Sequence, residues 1–81
     1  MVRVLLFGRL ADVAGWRERT VDPAPATLSA LQRLIGADDP QLAEALAGVG
    51  VRTAVDQVLS RGDVSLDAVK EVAFMPPMSG G

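Results

Sequence analysis

Residues 71–81 read Glu-Val-Ala-Phe-Met-Pro-Pro-Met-Ser-Gly-Gly, a strand-like sequence followed by a proline pair and a glycine pair. Val72 and Phe74 fall on one face and alternate with the residues between them, which is the period-2 pattern of a β-strand. The prolines end that strand, because neither has a backbone N–H to donate to a sheet. The sequence therefore predicts a buried final strand, residues 69–75, that continues into an extended C-terminal arm, residues 76–81.

The start of the chain carries the other strongly apolar strand. Residues 2–7 alternate in the same way, with Val4 and Leu6 on one face and Leu5 and Phe7 on the other. Apolar residues on both faces indicate a central strand that is covered, at least in part, on both sides. In one small sheet, the first and last strands are therefore expected to be central neighbours.

Two helices and a helical turn are expected between these strands. Thr27 is a favourable N-cap for the main helix, whose apolar spacing is helical up to Gly36. Asp39 and Pro40 are typical of a second helix start, as cap and first helical residue. A short helical turn ending at Gly15 precedes them.

The remaining strands are shorter or more polar. Residues 16–21 carry charges that suit an edge strand, residues 51–55 alternate, and residues 58–59 follow a turn at Asp56-Gln57. A helix between an N-terminal pair of strands and later strands belongs to the α+β class. We expect a mixed sheet of four to five strands, with the Thr27 helix packed across one face.

Size and composition exclude several kinds of protein. The chain has 81 residues, 49% of them apolar, which predicts a single domain over residues 1–81. It has no Cys and no His, which removes a thiolate nucleophile, the usual general base and the commonest metal ligands. A net charge of −2 gives no basic surface for nucleic acid, and no apolar run has membrane-spanning length. We expect a cytoplasmic protein with no secretion signal and no bound metal or cofactor.

The reactive group suggested by the sequence is the terminal carboxylate of Gly81. Two glycines at a chain end, taken alone, favour a frayed terminus over a functional one. The rigid apolar residues that precede them, Phe-Met-Pro-Pro-Met-Ser, favour a functional end instead. A carboxylate with a pKa of about 3.5 is an anion at neutral pH and resists nucleophiles, so it needs activation. Gly48-Val-Gly50 follows a helix and lacks the third glycine of a dinucleotide site, so we interpret it as a turn. Activation would then come from a separate nucleotide-using enzyme.

The arm and the strand before it are the predicted contact surface for a partner protein. Prolines lower the entropy lost on docking, methionine adapts to irregular apolar surfaces, and glycines keep the backbone thin enough for a narrow channel. The predicted partner-binding residues are Phe74, Met75, Pro76, Pro77, Met78, Ser79 and Gly80.

The Val-Arg-Val-Leu-Leu-Phe-Gly start and the Glu-Val-Ala-Phe-Met-Pro-Pro-Met-Ser-Gly-Gly end resemble the small, sulfur-carrying subunits of molybdopterin synthase, a ubiquitin-like β-grasp family. The resemblance implies that an activating enzyme adenylates Gly81 with ATP and that a sulfur donor converts the adenylate to a thiocarboxylate. It implies that the arm enters a pocket of the large subunit, where the sulfur passes to cyclic pyranopterin monophosphate. The family's synthase is a heterotetramer whose catalytic side chains belong to the large subunit, so this chain would be a non-catalytic sulfur donor.

Three alternatives remain open at this point. The chain could carry sulfur for thiamine, for a thiolated tRNA base or for cysteine. It could be a ubiquitin-like modifier whose Gly81 is joined to lysines of target proteins. It could also be an interaction module with an inert tail. The chain departs from the family pattern at Met75 and Met78, where many members have an aromatic or aliphatic residue, and at Asp56, in a turn that often contains Asn.

Overall fold

The computed structural model describes residues 1–77 of the chain. In chain order its elements are β1 (Val2–Leu6), α1 (Gly8–Ala14), β2 (Glu18–Val21), α2 (Leu28–Gly36), α3 (Pro40–Leu46), β3 (Arg52–Val55), β4 (Val58–Ser60) and β5 (Glu71–Met75). This order confirms the α+β class. The predictions made for Met78, Ser79, Gly80 and Gly81 lie outside the described residues.

The five strands form one mixed sheet in the order β2-β1-β5-β3-β4. The first and last strands, β1 and β5, are parallel neighbours, with Val4 opposite Val72 and Leu6 opposite Phe74. The other neighbouring pairs are antiparallel. The predicted central pairing of the first and last strands is confirmed, and the charged second strand lies at an edge as expected.

The core lies on one face of this sheet. Residues directly opposite each other in a sheet share a face, so Val4, Val72, Leu6 and Phe74 point the same way. The three helices bury their apolar residues against this face, which makes one contiguous cluster. Its members are Val2, Val4, Leu6, Leu10, Ala11, Leu28, Leu31, Ile35, Leu42, Leu46, Leu66, Val72 and Phe74.

Local sequence signals account for the helix ends. The Thr27 hydroxyl oxygen accepts a hydrogen bond from the Ala30 N–H at 3.2 Å, which caps α2. An Asp39 carboxylate oxygen accepts from the Leu42 N–H at 3.1 Å, which caps α3. Gly15 ends α1 with a left-handed backbone, at φ 82°. The predicted caps are therefore confirmed.

Gly36 has a different role from the one its position suggests. It is the last residue of α2, as predicted, but Ala37 follows in a right-handed conformation and no left-handed cap forms. A Cβ built on Gly36 would lie 2.9 Å from the Ala43 Cβ, closer than real Cβ atoms approach. The glycine is therefore required for the close contact between α2 and α3.

The connection from β4 to β5 is longer than the sequence pattern predicts. The final strand begins at Glu71, so Val69 lies in the connection and not in the strand. Leu66 is buried in the core, and an isolated bridge joins Ser65 to Thr27. An apolar residue that anchors a loop gives the same local pattern as a strand residue, which explains the difference.

Candidate functional site

The first two residues of the C-terminal arm, Pro76 and Pro77, follow the middle strand of the sheet. This strand is β5, which lies between β1 and β3. The Phe7 N–H donates to the Phe74 carbonyl at 3.1 Å on one side, and Arg52 is opposite Met75 on the other. Pro76 is half-buried and Pro77 is exposed. The direction of the chain is thus set by two neighbouring strands up to the first proline.

Two glycines from separate connections lie against the two prolines. A Cβ built on Gly8, the first residue of α1, would lie 3.0 Å from the Cγ of Pro76. A Cβ built on Gly50, in the loop between α3 and β3, would lie 2.8 Å from the Cβ of Pro77. Both glycines have positive φ, +53° and +87°, which side-chain-bearing residues rarely adopt. These contacts could not be predicted from the sequence. Each glycine is 27 or more residues away from its proline, and no local sequence pattern indicates a contact over that separation.

Phe74 is a core residue. Its side chain has no exposed surface and is the largest of the fully buried side chains. A residue with nothing exposed offers no contact area to a partner docked on this fold, so the prediction that Phe74 binds a partner is wrong for its side chain. Its neighbour Met75 points to the opposite face of the sheet and is half-buried.

The face of the sheet opposite the core carries a row of small and aliphatic residues. Leu5 is opposite Ala73, Ala73 is opposite Ala54, and Ala54 is opposite Leu59. We call Leu5, Ala54, Leu59, Ala73 and Met75 the open-face patch. Leu59 is 56% exposed, although it is a large aliphatic residue.

No helix among the described residues packs on the open-face patch. The expectation that β1 is covered at least in part on both sides agrees with the burial on this face, where Leu5 is half-buried and Ala73 is buried. That cover does not come from a helix of residues 1–77. Leu5 is half-buried here, and a molecule docked on this face would bury the rest of its side chain.

Charged residues surround the open-face patch. Arg3 and Glu71 form an ion pair at 3.8 Å on this face, Glu18 is opposite Leu5, and Arg52 is opposite Met75. An apolar centre with a polar, charged rim is the usual composition of a protein–protein interface. This patch adjoins the root of the arm through Met75, which belongs to both.

A groove of about 440 Å³ lies on the helical side of the arm. Its walls come from α1, α3 and the loop that follows α3, and Pro76 and Pro77 contribute to them. Val49 lines it and is 97% exposed. Pro76 and Pro77 therefore form part of the wall of this groove.

Residues 1–77 contain neither a metal-site cluster nor a membrane-spanning helix. This part of the chain has no group of three or more His, Cys, Asp or Glu side chains arranged to hold a metal ion. The same residues contain no helix that is long and apolar enough to cross a membrane. The Gly48-Val-Gly50 segment is a turn after α3, as predicted.

Among residues 1–77, the Asp63 carboxylate has a lowered pKa, and its role is structural. Asp63, in the β4–β5 connection, accepts hydrogen bonds from the Ser29 hydroxyl at 2.7 Å and from the Ser29 N–H at 2.9 Å. These two hydrogen bonds lower the pKa of Asp63 from its ordinary value, because they stabilise the charged form. The two hydrogen bonds between Asp63 and Ser29 hold the β4–β5 connection against the first turn of α2.

Comparison with known proteins agrees with this geometry. The model of the ThiS family matches residues 4–81. This chain belongs to the ThiS family. It is 33% identical over 81 residues to the molybdopterin synthase sulfur carrier subunit of Escherichia coli K12, with 100% of each chain covered. It is 39% identical over 83 residues to the protein of the same name from Caenorhabditis briggsae, covering 99% of this chain and 96% of that one.

A solved structure of similar fold supports the assignment. SAMP1 from Haloferax volcanii superposes with a TM-score of 0.73 at 30% identity, covering 99% of this chain and 98% of that one. For this ThiS-family chain, the likeness confirms the predicted ubiquitin-like β-grasp fold.

Proposed function

We propose that this chain is the sulfur carrier of a molybdopterin synthase, and that its working group is the C-terminal carboxyl of Gly81. Family membership and the names of its full-length relatives support the carrier role. The observation that carries the proposal is the position of the arm. Pro76 and Pro77 directly follow β5, the central strand of the sheet, and precede the terminal glycines in the sequence.

The chemistry requires activation by another protein. A carboxylate is a poor acyl group, so an activating enzyme first joins Gly81 to AMP from ATP, with release of pyrophosphate. The terminal sulfur of a persulfide on a donor protein then attacks the acyl carbon and displaces AMP. A second thiol cleaves the sulfur–sulfur bond of the resulting acyl disulfide, which leaves a thiocarboxylate on Gly81 and a disulfide on the donor. Sulfur is a softer and more polarisable nucleophile than oxygen, which suits its later transfer to cyclic pyranopterin monophosphate. ATP is used by the activating enzyme and is not bound by this chain.

The large subunit of the synthase is the proposed partner, and the open-face patch is its proposed docking surface. The patch is apolar at its centre, charged at its rim and continuous with the arm through Met75. Docking there would hold the arm beside the partner, so that insertion of residues 76–81 becomes effectively intramolecular. The two prolines reduce the conformational entropy that the arm loses on insertion.

The wider assembly follows from the same proposal. Two large subunits would lie at the centre of a heterotetramer, with one copy of this chain at each end, acting in the cytoplasm. The activating enzyme and the sulfur donor would bind in turn, because each needs the same terminal carboxyl group.

Reconstitution of the pathway tests this function. The chain is combined with the activating enzyme, ATP, a sulfur donor, the large subunit and cyclic pyranopterin monophosphate, and molybdopterin formation is measured. We expect product with the natural chain and none with Gly81→Ala or with Gly81 deleted, while both variants keep the wild-type circular dichroism spectrum. Full product formation by the deletion variant would refute the proposal.

A further inference from the structure

The root of the arm is enclosed by backbone that comes from two distant parts of the chain. Gly8 begins α1 and is separated from β1 only by Phe7, and Gly50 lies in the loop before β3. These segments approach Pro76 and Pro77 so closely that a methyl group on either glycine would meet a proline ring atom at 3.0 or 2.8 Å. A proline ring is rigid, so it cannot turn aside as a long side chain would.

We infer that Gly8 and Gly50 are positioning residues that fix the direction in which the chain leaves Pro77. Their missing side chains let the α1 start and the α3–β3 loop close on the two prolines. The inference rests on the proposed function for its purpose, since a fixed exit direction matters if the terminal carboxyl must reach a partner's pocket. A misplacement of about 1 Å at a reacting group can cost about 100-fold in rate.

Contact with the arm distinguishes Gly50 from a glycine whose only role is to allow a positive φ in a turn. Gly62 also has a positive φ, +74°, but a Cβ built on it would meet nothing within 4 Å. Substitution by alanine strains the backbone at Gly62 and at Gly50 in a similar way. Only at Gly50 does the new methyl group also push against the arm. Gly62→Ala is therefore the matched control for Gly50→Ala.

The composition of the chain makes the direction of the arm measurable. It has one tryptophan, Trp16, and no cysteine. The variant Ser79→Cys gives a unique thiol for an acceptor dye, and time-resolved energy transfer from Trp16 then reports the distribution of distances to residue 79. This measurement needs no sulfur chemistry, so its outcome is independent of whether the chain is a sulfur carrier.

In the labelled chain, we expect Gly50→Ala and Gly8→Ala to shift or broaden the distance distribution, and Gly62→Ala to leave it unchanged. Adding Pro77→Gly removes the Cβ that the Gly50→Ala methyl group would meet. In the Pro77→Gly background, Gly50→Ala should therefore cause no further change. Circular dichroism and urea unfolding establish that each variant is folded. If Gly50→Ala does not fold, Gly8→Ala and Pro77→Gly alone must each change the distribution.

The functional part of the test uses sulfur transfer from the thiocarboxylated chain to substrate at saturating large subunit. Gly50→Ala should slow transfer about tenfold or more relative to Gly62→Ala, because the bound arm is misdirected. A distance distribution that is identical in the natural chain, Gly8→Ala, Gly50→Ala and Gly62→Ala would overturn the inference. Failure of the natural chain to accept sulfur would instead overturn the proposed function and leave the distance result standing.

Discussion

Asp56 and Glu71 are joined by two hydrogen bonds that run in opposite directions. The Asp56 N–H donates to the Glu71 carbonyl at 2.9 Å, and the Asp56 carboxylate accepts from the Glu71 N–H at 2.9 Å. The same oxygen accepts from the Lys70 N–H at 3.0 Å. The turn between β3 and β4 therefore holds the first residue of β5, the strand that ends in the arm.

This relationship predicts that Asp56→Ala is more destabilising than Asp56→Asn. Asp56 has a positive φ of 48°, which Asn tolerates better than Ala, and Asn keeps an oxygen acceptor. Loss of two hydrogen bonds predicts a decrease of about 1–2 kcal/mol in the free energy of unfolding for Asp56→Ala. Urea denaturation measures it. Equal stability of the Ala and Asn variants would show that these hydrogen bonds contribute nothing.

Phe74 gives a second prediction, which concerns the core. Because the side chain is fully buried, Phe74→Ala should lower the free energy of unfolding by about 3–5 kcal/mol. Val49→Ala is the control, since Val49 is 97% exposed and should change stability by less than about 0.5 kcal/mol. Both are measured by urea denaturation. A similar, small effect for the two variants would place Phe74 outside the core.

The open-face patch is tested by two neighbouring residues of β4. Leu59 belongs to the patch, whereas Val58 points to the other face, and they are 56% and 69% exposed. Leu59→Asp should weaken binding to the large subunit by about 1–3 kcal/mol, because docking would bury a charge in an apolar interface. Val58→Asp should leave the affinity unchanged. Titration calorimetry gives both values, and equal affinities would show that docking occurs elsewhere.

Asp63 predicts how stability depends on pH. Its pKa is lowered in the folded chain, so between the folded and unfolded pKa values the unfolded chain binds more protons. The stabilisation is present above the ordinary carboxyl pKa of 3.8 and is lost as the pH falls through the lower, folded value. Ser29→Ala removes the hydroxyl donor, so it should raise the pKa of Asp63 measured by NMR. An unchanged pKa in that variant would contradict the assigned cause.

The sequence could predict those parts of the fold that depend on local patterns. The alternation around Val72 and Val4 predicts the central strand pair, and the residue types at Thr27, Asp39 and Gly15 predict helix ends, because capping acts within a few residues. The sequence could not predict the role of Gly36, since that glycine is required by contact with Ala43, on another helix.

The candidate site was only partly predictable from the sequence, because some of its features depend on contacts between distant segments and not on a local pattern. The prolines and the methionine that precedes them stand out in the sequence, and the structure places them at the C-terminal end of β5, the central strand of the sheet. The strand pattern alone could not distinguish Phe74, which faces the core, from a partner contact. The approach of Gly8 and Gly50 to the arm exists only after the chain has folded.

The central claim is that Gly81 carries sulfur, and intact mass spectrometry of the chain purified from its own host tests it most directly. We predict a species heavier by the difference between one sulfur and one oxygen atom, with fragmentation locating the change at Gly81, and its absence from a host that lacks the activating enzyme. Only unmodified chain, or a ladder of conjugates linking Gly81 to lysines of other proteins, would contradict the account.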